Sequence, residues 1–249
     1  LAHGVYLEWS KPVVAITGSA GKTTAKELTA HVLAAKGLRV LKNIKNYNNG
    51  LGLPLSVLRM VSDGHSPDQF DMAVLEMGMS SPTHEIQRLC RITPPDVAVE
   101  LMVAPVHLEY LGSIENIAAA KAELIEGLKP EGIAVLNADD PLVMQRIGQF
   151  AGRVVTFGTA ENATVRGVDV EDLGVGRGRG HGALSLGREG VGRSTLMVGT
   201  GAARAGVGCG HDQPPPHRRR RRRGRHRGAC GLRAGPAADD RLRQAVLHR

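Results

Sequence analysis

Residues Val13 to Thr24 read VVAITGSAGKTT, an apolar β-branched run that breaks into Gly-Ser-Ala-Gly and then Lys-Thr-Thr. This order puts a buried strand, a tight turn and a helix in direct succession. Backbone N–H groups around Gly18, Ser19, Ala20 and Gly21 can face phosphate oxygens only where no side chain intervenes, and a helix starting near Lys22 adds its positive dipole end. Lys22 is then placed to reach β- and γ-phosphates, with the Thr23 hydroxyl on Mg2+. The pattern is the short G-x-x-G-K-T, since the longer phosphate-loop spacing would need a glycine where Ile16 stands. A Gly-rich strand-to-helix turn with no ligand is the plain alternative.

Downstream, short apolar runs alternate with helical spacing. Strands are predicted over Val13–Thr17, Met72–Glu76, Asp96–Leu101, Gly132–Asn137 and Val154–Phe157. Helices are predicted over Thr23–Lys36, Leu53–Met60, Thr83–Cys90, Ile114–Leu128 and Pro141–Phe150. The alternation implies an α/β fold, a mostly parallel sheet flanked by helices, with ligands beyond the C-terminal strand ends. Glu76 ends the second predicted strand and is placed to take Mg2+, which prefers oxygen ligands. A solvated strand-end Glu is the other reading. His107 follows the third strand in an apolar setting, where a structural histidine is the alternative to a ligand. Asn137 ends the fourth strand and points toward the presumed ligand crevice, whereas Asp140 caps the helix that Pro141 begins.

Charge divides the chain. Residues 1–166 hold 8 Lys and 7 Arg against 17 acidic residues, whereas 167–249 hold 17 Arg against 7 acidic residues. The second part contains 18 of the 32 Gly and no Lys, Ile, Asn, Phe, Tyr or Trp. Such a Gly/Arg-rich, low-complexity tail has little apolar surface to bury and is expected to be disordered. His217 to Arg227 (HRRRRRRGRHR) would suit a phosphate-binding arm. That arm lacks lysines and stacking aromatics, and its residue types fit a G/C-rich gene read out of frame from between Arg166 and Gly210, so nucleic acid is not the expected partner. Cys90, Cys209 and Cys230 are too few and too widely spaced for a disulfide framework or a zinc site. With no apolar run of membrane-spanning length and no signal peptide, a cytoplasmic setting is expected.

In order and separation, TGSAGKTT (17–24), NYNNGLGLPLSVL (46–58), LEMGMS (75–80), PVHLEYLGSI (105–114), AAAKAELIEGL (118–128) and VLNADDP (135–141) resemble the central ATPase domain of the Mur ligases of peptidoglycan synthesis. The resemblance covers about 150 residues and implies a phosphate-loop fold over 1–166. It also implies ATP and Mg2+ as cofactors and amide-bond formation through an acyl phosphate. Gly18 through Thr24 would contact ATP, with Lys22 catalytic and Thr23 on the metal. Glu76 and His107 match magnesium ligands, and His107 also counts among the catalytic positions. Lys121 matches a catalytic lysine that becomes carbamylated, although spacing alone reads it as a solvated helix lysine. Asn137 matches an adenine contact, and Asn48 and Asn49 match substrate-proximal positions.

The segments NYNNGLGLPL, EMGMS and HLEYLGSI look most like the members that join D-alanyl-D-alanine to UDP-N-acetylmuramoyl tripeptide, enzymes that act as monomers. Related ligases acting on other muramyl peptides, folates or poly-amino acids are the alternative within this chemistry. An ATP-binding module with a nucleic-acid-binding arginine tail is the alternative outside it. Met102 departs from the family, which often has Asn there. Complete ligases also carry an N-terminal domain for the UDP end and a C-terminal domain that helps to enclose ATP.

Overall fold

The structure is a computed structural model that describes residues 1–79, 84–106, 111–172, 177–185, 191–199 and 207–208. It divides into two units, the first centred on Leu1–Gly167 and the second beginning at Val168.

The first unit is a parallel sheet with helices on both faces. Its strands are β1 (Val13–Thr17), β2 (Val40–Lys42), β3 (Met72–Glu76), β4 (Val97–Glu100), β5 (Ile133–Asn137), β6 (Arg153–Gly158) and the start of β7 (Val165–Asp172). They lie in the order β2-β3-β1-β4-β5-β6-β7, every pair parallel. From β1 the chain runs first to β2 and β3 on one side and later to β4 on the other. The C-terminal end of β1 is therefore a switch point, where such sheets open a crevice. β1 and β3 are apolar up to their last residues, Thr17 and Glu76, and buried at every position, as strands covered on both faces must be.

The helices are α1 (Ala2–Trp9), α2 (Lys22–Ala35), α3 (Gly52–Leu58), α4 (Glu85–Ile92), α5 (Ile114–Glu126) and α6 (Pro141–Met144). α2 covers one face, where Ala30 meets Val14, Ile16, Met72 and Val74. The opposite face packs Ala15, Leu75 and Ala98 against Tyr6, Trp9, Leu53, Ile86, Leu89 and Leu124.

Every predicted strand is present, with ends shifted by no more than a residue or so. α1 and β2 carry no strong periodic signal, and tertiary contacts explain them. Trp9 of α1 is 4% exposed, and its Nε1 donates to Phe70 O at 2.9 Å. β2 is a three-residue edge strand held by its register with β3. The last predicted helix is shorter than expected: α6 stops at Met144, and a 3₁₀ turn follows over Ile147–Gln149. Thr83, predicted to open α4, lies outside the described residues. α4 starts at Glu85, behind His84 in the left-handed region (φ 51). The buried Glu123 carboxylate accepts from Gln87 N at 3.1 Å and pairs with His84 Nδ1 at 2.9 Å.

Asp140 is the predicted helix cap. It accepts from Leu142 N and Val143 N at 2.9 and 3.3 Å, and its second oxygen accepts from Val103 N at 2.7 Å. Asp140→Ala removes both the cap and the tie to the segment after β4. It is expected to cost about 1–2 kcal/mol in chemical denaturation.

β7 runs past the expected boundary at residue 166. The second unit contains β8 (Arg177–Ser185) as far as Ala183, β9 (Val191–Gly199) and β10 (Val207–Gly208), with β9 and β10 antiparallel. The arginine run lies outside the described residues. Among the described residues no helix is long and apolar enough to cross a membrane.

Candidate active site

β1 delivers the chain to a loop whose tip, Ala20 and Gly21, is exposed. Two positions need glycine. At Gly18 (φ 153) an added Cβ would stand 2.9 Å from Leu101 Cβ, and at Gly21 the backbone is left-handed (φ 81). Ser19 ties the loop to the segment after β4: its N–H donates to Met102 O at 2.8 Å, its Oγ donates to Ala104 O at 3.1 Å, and it accepts from Ala104 N at 2.8 Å. Met102 thus contributes its backbone carbonyl to the loop. Lys22 Nζ folds back over the loop and donates to Gly18 O at 2.8 Å. The first N–H groups of α2 have no partners within the helix and point the same way.

Glu76 is buried, not solvated, at 2% exposure. Thr23 Oγ1 donates to its Oε2 at 2.9 Å, and Asn48 Nδ2 donates to its Oε1 at 2.8 Å. Gly78 makes room for Asn48, because a Cβ there would lie 2.9 Å from the carboxamide carbon. An exposed hydroxyl beside a buried carboxylate, both hard oxygen donors at a helix N-terminus, fits Mg2+ with phosphate oxygens and water completing the shell. The bare-amide cradle at Gly18–Gly21 likewise fits a phosphate chain. Among the described residues no three His, Cys, Asp or Glu side chains gather as a metal cage, and a phosphate-bound Mg2+ does not need one. His107, expected near Glu76, lies outside the described residues.

The other predicted positions take identifiable roles. Asn49 Oδ1 accepts from Gly52 N at 2.9 Å and Leu51 N at 3.2 Å, which caps the start of α3. Thr24 is exposed on the first turn of α2. Asn137 uses its carboxamide within the chain, donating to Leu101 O at 2.7 Å and accepting from Asp139 N at 3.0 Å. It fixes the ends of β4 and β5 beside the loop.

Lys121 corrects the reading from spacing, for it is 3% exposed on the inner side of α5. Burial, reinforced by the field of Lys22 and opposed by Glu100, lowers its pKa to about 8. Glu100, 2% exposed at the end of β4, is raised to about 7, chiefly by burial; Asp140 adds to the rise, and Lys121 and Arg146 work against it. Sequence reasoning passed over Glu100, although the period of two in Val97–Glu100 puts it on the buried face with Ala98. It also passed over Lys26 and Asn43, both 0% exposed. For Lys26 the signal was its i, i+4 spacing to the buried Ala30.

Residues 16–177 match the Mur ligase middle domain. The chain belongs to the Mur ligase family. This Mur ligase is 41% identical over 159 residues to the UDP-N-acetylmuramoyl-tripeptide–D-alanyl-D-alanine ligase of Bacillus subtilis, covering 64% of the chain and 32% of that relative. Among solved structures it is similar to MurF of Acinetobacter baumannii (26% identity, TM-score 0.68, covering 79% of this chain and 40% of that one). It is also similar to MurF ligase of Thermotoga maritima in complex with ADP (33%, TM-score 0.66, covering 79% and 42%). The Mur ligase chain thus spans about a third of the length of the Bacillus relative.

Proposed function

We propose that this chain supplies the ATP- and Mg2+-binding part of a ligase that joins D-alanyl-D-alanine to UDP-N-acetylmuramoyl tripeptide. The observation that carries the reading is the closure of Thr23 and Asn48 on the two oxygens of buried Glu76, directly beside the phosphate loop. ATP would supply the γ-phosphoryl group to the tripeptide carboxylate, releasing ADP and giving an acyl phosphate, from which the dipeptide amine would displace inorganic phosphate and lose a proton as the amide forms. The protein's task in such chemistry is positioning and charge stabilisation rather than covalent catalysis.

The amides from Gly18 to Thr24 hold the phosphates, and the Lys22 ammonium leaves Gly18 O to neutralise charge at the transferred group. Thr23 and Glu76 would hold the metal, and His107 joins them on the resemblance to the family. Lys121, whether as ammonium or as the carbamate known in the family, places a charged group on the α5 side. Asn137 borders the adenine side, and Asn48 and Asn49 border the muramyl substrate. The likeness to D-alanyl-D-alanine ligases over the NYNNGLGLPL segment favours this substrate pair over folate-type acids. A cytoplasmic monomer suits substrates of this kind, and ATP binding is assigned to residues 1–166 without the arginine-rich tail.

Phosphate release with Mg2+-ATP by a ligase in which this chain's residues 16–166 replace the matching segment of the Bacillus subtilis relative tests the reading. Release that requires both UDP-muramoyl tripeptide and D-alanyl-D-alanine, with amide product detected by mass spectrometry, is the expected result. Release indifferent to either substrate, or no release at all, contradicts it.

A further inference from the structure

Lys26 lies one turn beyond Lys22 on α2, where a phosphate-loop helix has no direct use for a cation. Among the described residues it is nevertheless the largest fully buried side chain. Its Nζ donates to Asn43 O at 2.9 Å, lies 3.5 Å from Lys45 O and pairs with Glu27 Oε1 at 3.3 Å. Burying an ammonium is costly unless its protons find acceptors. Here two of the acceptors are the carbonyls of Asn43 and Lys45, two residues apart in one turn, and Lys45 has a left-handed backbone (φ 49).

Asn43 carries the contact onward. Its Oδ1 accepts from Glu76 N at 3.0 Å, and its Nδ2 donates to Glu76 O at 2.8 Å and to Tyr47 O at 2.9 Å. The carboxamide thus copies a β-bridge one residue past the end of β2, where the register of Lys42 with Val74 stops. The same turn brings Asn48 N to Asn46 O at 2.7 Å and Asn48 Nδ2 to Glu76 Oε1. One buried ammonium on α2 therefore sets both the backbone of Glu76 and one of the two side chains that orient its carboxylate.

We propose that Lys26 is a positioning residue for the metal carboxylate Glu76, acting through Asn43 and the 43–48 turn. The proposal rests on the reading of Glu76 as a Mg2+ ligand. It assigns to Lys26 the coupling of α2, which bears Thr23, to β3, which bears Glu76, so that the two ligand groups meet before a metal arrives.

Two measurements on the full chain decide it. In nucleotide-free protein, Lys26→Met is expected to speed amide exchange on the order of tenfold in peptides covering 43–48 and 72–78, leaving the α4 and β5 peptides unchanged. In the presence of ADP, Mn2+ binding followed by electron paramagnetic resonance is expected to weaken on the order of tenfold, with ADP affinity in chelator unchanged. Glu27→Gln, which removes the exposed carboxylate that Lys26 shares with Lys42 of β2 and leaves the Asn43 and Lys45 carbonyls in place, is expected to leave both readouts unaltered. If Lys26→Met does not fold, Asn43→Asp keeps an acceptor for Glu76 N and loses both donated bonds, and the same local signature is expected. Exchange that rises throughout the chain, or a folded variant with unchanged exchange at 43–48 and unchanged Mn2+ binding, overturns the proposal. Failure of the unaltered chain to bind Mn2+ with ADP instead contradicts the reading of Glu76 as a metal ligand, and the exchange result still decides whether Lys26 holds the turn.

Discussion

Glu76→Gln is expected to lower the affinity of the chain for Mg2+-ATP by at least about 100-fold, since removing a ligand costs more than the 10–100-fold typical of its outer partners. The melting temperature should change little. A glutamine amide has the same outline, and it can still accept from Asn48 Nδ2 while its NH2 group donates to the Thr23 hydroxyl, so neither 2.8–2.9 Å contact is left without a partner. The lost quantity is the negative charge that would face the cation. Nucleotide titrations at several Mg2+ concentrations check this, because affinity in chelator should match that of the unaltered chain.

Glu100→Gln is expected to stabilise the protein at neutral and mildly alkaline pH. The Glu100 carboxyl ionises near 4.5 in the unfolded chain but holds its proton to about 7 when folded. Stability therefore falls as pH rises through that window and stays level above it. At about 1.4 kcal/mol for each pKa unit, the full penalty is on the order of 3 kcal/mol. Lys121 contributes with the opposite slope: its ammonium is disfavoured by burial below about pH 8, and that penalty is relieved between about 8 and its ordinary 10.5. Removing Glu100 also removes an attraction for the Lys121 ammonium, so the net gain should be about 1–2 kcal/mol, or roughly 2–8 °C for a chain of this size. Thermal melts across pH 4 to 9 check it: the decline between 4.5 and 7 should flatten in Glu100→Gln. A variant that melts lower at pH 8 would show that Glu100 is held by partners worth more than its desolvation.

The parts of the fold legible in the sequence are those whose signal is local. β1 and β3 are apolar runs that end in Thr17 and Glu76, and the glycines at 18 and 21 mark a turn only glycine can make. Asp140 before Pro141 is a cap at the expected distance. What escaped local reading depends on distant partners. β2 is three residues long and exists through its register with β3, and α1 earns its place through Trp9 and Tyr6, which reach Phe70 O and Pro94 O more than sixty residues away. The candidate site divides the same way. Lys22, Thr23 and Glu76 stand at positions where a strand end or helix start explains their use. Lys121 reads as a surface lysine until α5 is laid against the sheet. Lys26 and Glu100 lie in stretches whose periodicity marks them as buried, and a charge on a buried face was a signal in its own right.

The most direct test of the account is calorimetric titration of ATP into the full chain with and without Mg2+. It predicts saturable one-to-one binding that strengthens sharply with the metal and loses that metal dependence in Glu76→Gln. Binding equally strong in chelator, or Mg2+-dependent binding that survives Glu76→Gln unchanged, would contradict it.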